Sequence, residues 1–168
     1  MVPLSLSDAA TIACQLQRDP RGVVEVAARC PCGAPAVVTT APRLPDGTPF
    51  PTVYYVTCPK LAGAIGTLEA RGLMREMEQR LGTDDALASA YRQAHRSYLD
   101  DRAALGAVQE IEGISAGGMP DRVKCLHVLV GHALARGPGV NPLGDDALAL
   151  LPSWWQGSGC CTESAPCE

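Results

Sequence analysis

The chain has 168 residues, of which 46% are hydrophobic and 19% charged, and its formal net charge is −4. That length suits one domain with a real core, and that composition excludes a disordered chain. The acidic balance lacks the electrostatic footprint of a general nucleic-acid binder, and the arginines between Arg71 and Arg102 alternate with Glu69, Glu76, Glu78, Asp84, Asp85, Asp100 and Asp101, a pattern expected of solvated helix faces.

In chain order, a helix is predicted over about Ser7–Arg18, capped by Ser5 or Ser7 and ended by Pro20. Strands follow at 22–28 and 36–40, with Cys30-Pro31-Cys32-Gly33 at the turn between them. Pro45-Asp46-Gly47-Thr48 is a turn, because Pro presets φ and Asp-Gly tolerates the left-handed region. A third strand, Val53–Thr57, runs into Cys58-Pro59, where Pro59 suits the first helical position and Cys58 the cap. Leu61, Ile65 and Leu68, then Leu73, Met77 and Leu81, fall at helical spacing with Gly72 as the break. A longer helix is predicted from Asp84 to about Leu105, with Leu87, Tyr91, Ala94 and Tyr98 on one stripe. The loop 113–118 leads to Met119-Pro120-Asp121, which is expected to open an apolar helix through Val123, Leu126, Val130 and Leu134. Gly137-Pro138-Gly139 stops it, Asn141-Pro142-Leu143-Gly144 reads as a turn, and a short helix follows at 145–151. The pattern gives an α+β fold: a small, mainly antiparallel three-stranded sheet packed with four to five helices. Residues 1–151 form the expected domain, and 152–168, without periodicity, the expected flexible tail.

The first twenty residues lack the basic start and apolar run of a signal peptide, and no apolar stretch is long enough to span a membrane. The expected location is the cytoplasm, with no membrane partner and no partner otherwise identified. In a reducing compartment the eight cysteines are expected to be metal ligands, catalytic groups or small buried hydrophobes rather than disulfides. Cys14 reads as core, and Cys160, Cys161 and Cys167 as incidental members of the tail.

Cys30 and Cys32 lie at a strand turn, Cys58 ends the third strand, and Cys125 begins a later helix, so three segments are placed to deliver thiolates to one end of the sheet. Cys-Pro-Cys-Gly is one residue short of a zinc knuckle, and no Cys-x-x-Cys partner follows. On a continuous helix Cys125 and His127 stand about 200° apart, and Cys125 and His132 about 10 Å apart along the axis. The candidate ligands are therefore Cys30, Cys58 and Cys125, with the fourth open among Cys32, His127 and His132. Zinc or an iron–sulfur cluster suits such a set. The rival reading is separate buried cysteines and core histidines. Cys58, at a helix start, is also the candidate nucleophile of a thiolate hydrolase or transferase. Gly117, Gly118, Arg122 and Lys124 are candidates for an anion site at a helix start, against the reading of an ordinary connection. His95 is expected to have a surface or packing role.

Arg29-Cys30-Pro31, Asp46-Gly47-Thr48-Pro49-Phe50-Pro51-Thr52, Tyr55-Val56-Thr57-Cys58-Pro59, Leu68-Glu69-Ala70, Lys124-Cys125-Leu126-His127 and Asn141-Pro142-Leu143-Gly144 resemble a mainly actinobacterial family, domain of unknown function five hundred and one, from about residue 20 to 150. The resemblance implies counterparts at Cys30, Cys58, Cys125 and His127, with other residues able to stand at Cys32. This ranks His127 above Cys32 as a ligand. Members are often encoded near a septum-formation initiator and an exopolyphosphatase, which makes an interaction protein associated with cell division a further alternative. The leading expectation is a protein with a Cys/His metal site.

Overall fold

A computed structural model describes residues 4–157. Three strands, β1 (Val23–Arg29), β2 (Pro35–Thr40) and β3 (Tyr54–Val56), form one antiparallel sheet in the order β1-β2-β3. Among the described residues six α-helices pack around it: α1 (Leu6–Leu16), α2 (Pro59–Ala70), α3 (Leu73–Leu81), α4 (Asp85–Leu105), α5 (Leu126–Arg136) and α6 (Pro142–Leu150). The α+β class holds, with more helices than expected.

β2 is the middle strand and all six of its residues are buried. The physical reason is cover on both faces. α1 seats Ile12, fully buried, and Gln15, whose Nε2 donates to Pro35 O at 2.7 Å. α5 packs on the opposite side. Pro35 opens β2, a position that tolerates a missing N–H.

Local chemistry sets most boundaries. Ser5 caps α1 by accepting from Asp8 N, and Asp84 caps α4 by accepting from Leu87 N. Cys58 is the cap of α2 with Pro59 first in the helix, as the dipeptide predicts. Gly72, at φ 90°, divides α2 from α3 in a conformation that only glycine adopts without strain. Asn141 caps α6 through Gly144 N, so this helix begins at Pro142, three residues before the expected start.

α5 is the central helix, with seven of its eleven residues buried. Two glycines bring neighbours unusually close to it. A Cβ on Gly131 would meet Tyr54 O at 3.1 Å, and one on Gly144 of α6 would collide with Leu129 O and Ala133 Cβ. Tyr98 of α4 fixes β3 by accepting from Val53 N at 2.8 Å. Arg102, 5% exposed, donates to the carbonyls of Pro51, Ile111 and Ile114 and so ties the following loop to α4.

The expected helix start at Asp121 is wrong. α5 begins five residues later, and 113–125 is a looped segment held by its own backbone. Arg122 N donates to Gly118 O at 2.9 Å and Lys124 N to Gly117 O at 2.8 Å. Of the expected tail, residues 152–157 are described. Trp154 and Trp155 meet edge to face at 4.8 Å and pack against the core. Cys160, Cys161 and Cys167 lie outside the described residues. Cys14, half-buried on α1, is disulfide-bonded, a departure from the expectation of reduced thiols and of a plain core role.

Candidate functional site at the start of α5

The start of α5 lies against α2. Ala62 and Glu69 are seven residues apart on α2, which is close to two turns, so they share a face. His127 spans them: its Nε2 lies 3.1 Å from Ala62 O and its Nδ1 3.3 Å from Glu69 Oε1. Glu69 Oε1 also accepts from Leu126 N at 2.7 Å, so the carboxylate covers one of the amides that a helix start leaves without an intrahelical partner. Cys125 is the residue before the first helical one.

One ligand atom each from Glu69, Cys125 and His127 lies within 4.8 Å of the other two. All three side chains are half-buried. The reading that Cys125 and His127 cannot share a face assumed that both are helical. Cys125 has φ −157° and ψ 111°, an extended backbone outside the helix, so the helical rotation between the two positions does not apply.

A carbonyl oxygen only accepts, so Ala62 O fixes Nε2 of His127 as the N–H donor. Nδ1 is left with its lone pair facing a carboxylate. That arrangement calls for a positive charge, which a proton on Nδ1 supplies. The hydrogen bond to Cys125 leads in raising the His127 pKa to about 9; burial opposes it, and the charge and hydrogen bond of Glu69 add to it. Burial also pushes the Cys125 thiol up. The His127 hydrogen bond and the Val128 N–H outweigh it, together with the charge of His127, and the thiol lies below its ordinary value despite Glu69. Val128 acts here without closing a capping hydrogen bond. Each group thus favours the charged form of the other, thiolate for Cys125 and imidazolium for His127.

The other candidates stand elsewhere. Cys30 and Cys58 are buried in the hydrophobic core cluster, and neither belongs to the Glu69–Cys125–His127 group. Cys32 is exposed. His132 is fully buried and stacks on Tyr54 with ring centroids 5.7 Å apart. Gly117 and Gly118 have positive φ, but a Cβ on either would meet its own chain, at Val128 Cβ (3.0 Å) and Arg122 O (2.8 Å). The amides around them are taken: Val123 N donates to Glu78 Oε1 at 3.0 Å, and Arg122 pairs with the same carboxylate at 3.1 Å. His95, half-buried, lies 3.0 Å from Ser115 Oγ through Nδ1. Glu69 is the member that spacing rules missed. Its one signal was its place in Leu68-Glu69-Ala70, among the segments that carry the family resemblance.

Fold and site define an α+β protein with a Glu/Cys/His group, where the start of α5 meets α2, that could hold a metal ion. The profile of a family described as "Protein of unknown function (DUF501)" matches residues 26–149, and the chain belongs to that family. No curated protein and no solved structure matches it. Among the described residues no helix is long and apolar enough to cross a membrane.

Proposed function

We propose that the protein is a zinc-binding protein whose ion is held by Cys125 Sγ, His127 Nδ1 and the Glu69 carboxylate. The observation that carries the reading is the hydrogen bond of Nε2 to Ala62 O. Metal-bound imidazoles characteristically donate their second N–H to a carbonyl or carboxylate, which orients the lone pair on the other nitrogen. The 3.3 Å between Nδ1 and Glu69 Oε1 suits two ligands of one tetrahedral ion, which stand roughly 3–4 Å apart. A sulfur, a nitrogen and an oxygen are a borderline-soft donor set that suits zinc. One thiolate does not supply the cysteines that ordinary iron–sulfur clusters require. Cys30 and Cys58 lie outside this set, with Glu69 standing where further thiolates were expected.

Three protein ligands leave a fourth position for water or substrate, the pattern of zinc sites that polarise a bond rather than staple a fold. A second reading, a thiolate nucleophile, is favoured by the lowered pKa of Cys125 and its contact with His127. This role suits Cys125 better than Cys58, which is fully buried.

Elemental analysis of protein purified without chelators tests the proposal. About one zinc per chain is expected, falling together in Cys125→Ser, His127→Gln and Glu69→Gln and kept in Cys30→Ser and Cys58→Ser. Retention of metal by Cys125→Ser and His127→Gln would overturn it.

A further inference from the structure

A second group, on the sheet side of α5, has unmet hydrogen-bonding demand. His132 is fully buried, parallel to Tyr54 and edge-on to Tyr98 at 5.2 Å. Asn141 Oδ1 accepts from Gly144 N at 3.0 Å, which turns its Nδ2 toward His132 Nδ1 at 3.3 Å. Nδ1 is thus the acceptor, and Nε2 carries the proton of the neutral ring. That buried N–H has no hydrogen-bond partner. Asp101 Oδ2 stands 3.9 Å away, out of range, and is engaged instead by Tyr54 Oη at 3.0 Å and Arg136 Nε at 3.4 Å. A buried donor left in this state is unfavourable, because the hydration it lost on burial is not replaced.

Asp101, Tyr54 and Arg136 line an open cleft of about 390 Å³ between the strands and the C-terminal parts of α4 and α5, with Glu25 and Thr39 also on its walls. Volumes of this order hold small ligands. Glu25 has no ion-pair partner among the described residues. Arg136 spends Nε on Asp101, and its side chain is 49% exposed. The cleft therefore offers a spare carboxylate, a guanidinium with spare donors and, behind Asp101, an N–H lacking an acceptor.

We propose that this cleft binds a small zwitterion of the α-amino-acid type, its carboxylate on Arg136 and its ammonium on Glu25. An anion alone meets two carboxylates against one guanidinium and is repelled, while a cation alone gives the spare donors no acceptor. A bound carboxylate competes for Arg136 and loosens its hold on Asp101. Asp101 is then free to close on His132 Nε2–H, so that binding removes the buried unsatisfied donor. The inference is independent of the metal reading, since none of these residues belongs to the Glu69–Cys125–His127 group.

The test uses the full chain with glycine and L-alanine as probes, and acetate and methylamine as half-ligands, in thermal-shift and calorimetric titrations. Glycine and L-alanine are expected to raise Tm with concentration, and each half-ligand to do so far less. Glu25→Gln and Arg136→Gln are each expected to weaken binding at least about tenfold. In the unmodified chain, the NMR signal of the His132 Nε2 proton is expected to move downfield on saturation as its hydrogen bond forms. Three results would overturn the proposal: no response to either amino acid at millimolar concentration, equal binding of acetate or methylamine, or a His132 proton signal unmoved at saturation.

Discussion

His127 and His132 sit five residues apart on α5 and are driven in opposite directions. At the start of the helix, His127 is half-buried, its ring shared by a cysteine, a carboxylate and a carbonyl, and its pKa rises to about 9. One and a half turns on, His132 lies between two tyrosines in the core; burial, aided by Arg136, takes its pKa down to about 4. Asp101 stands 3.9 Å from His132 and does not rescue the charged form, because its carboxylate is already engaged by Tyr54 and Arg136. The difference teaches that hydrogen bonds to the charged form, rather than the mere presence of an acid nearby, decide whether a buried imidazole holds its proton. One ring is set to hold a proton, and the other to stay neutral and pack.

The largest expected effect falls on the packed ring. His132→Ala removes a fully buried ring from between Tyr54 and Tyr98 and is expected to cost about 3 kcal/mol in urea unfolding. His127→Ala, at the half-buried site, is expected to cost under about 1 kcal/mol in the metal-free protein. Equal costs would break the contrast.

Acid gives nearly as large an effect. The folded-state pKa of His132 lies below its ordinary 6.5, so the unfolded chain takes up the proton first as pH falls. Its contribution is whole above about pH 6.5 and is lost between there and about pH 4, up to about 3 kcal/mol. His132→Phe should flatten that part of the stability profile, measured by urea unfolding at several pH values. An unchanged slope would show that other groups carry it.

His127 has the opposite sign. Its folded-state pKa is raised, so its contribution is fully present below about pH 6.5 and lost as pH rises through about 9. The same proton competes with a metal. Zinc affinity, measured by competition titration, is therefore expected to rise with pH toward 9, with protons released on binding. At a hundredfold excess over Kd, zinc should add about 2.7 kcal/mol of stability. His127→Gln and Cys125→Ser should remove that gain. Affinity independent of pH would separate His127 from the ion.

The smallest effect is expected at Glu69. Glu69→Gln keeps an acceptor for Leu126 N but withdraws the charge that helps raise the His127 pKa. The His127 midpoint in an NMR titration should fall, while unfolding free energy changes by under about 1 kcal/mol. An unchanged midpoint would leave Cys125 alone responsible for the shift.

Much of this protein is set by local chemistry and is therefore legible in its residues. Capping by Ser5 and Asp84, the Cys58-Pro59 helix start, the break at Gly72, the Asp46-Gly47 turn and three β-rich runs each depend on a few neighbouring positions, and they define the α+β class. Cys125 and His127 were legible as candidate ligands as well, from residue type and family resemblance, and they fall in the group that could hold a metal ion. Tertiary structure decided which groups meet. Cys125 joins His127 because the chain is extended at 125, and that follows from the looped segment 113–125 rather than from helical periodicity, which overran the true start of α5. Glu69 reaches the site from 56 residues away because α2 packs against α5. The opposite fates of His127 and His132 also belong to the folded state, since a pKa depends on burial and on partners that only the packed helices and sheet bring within reach.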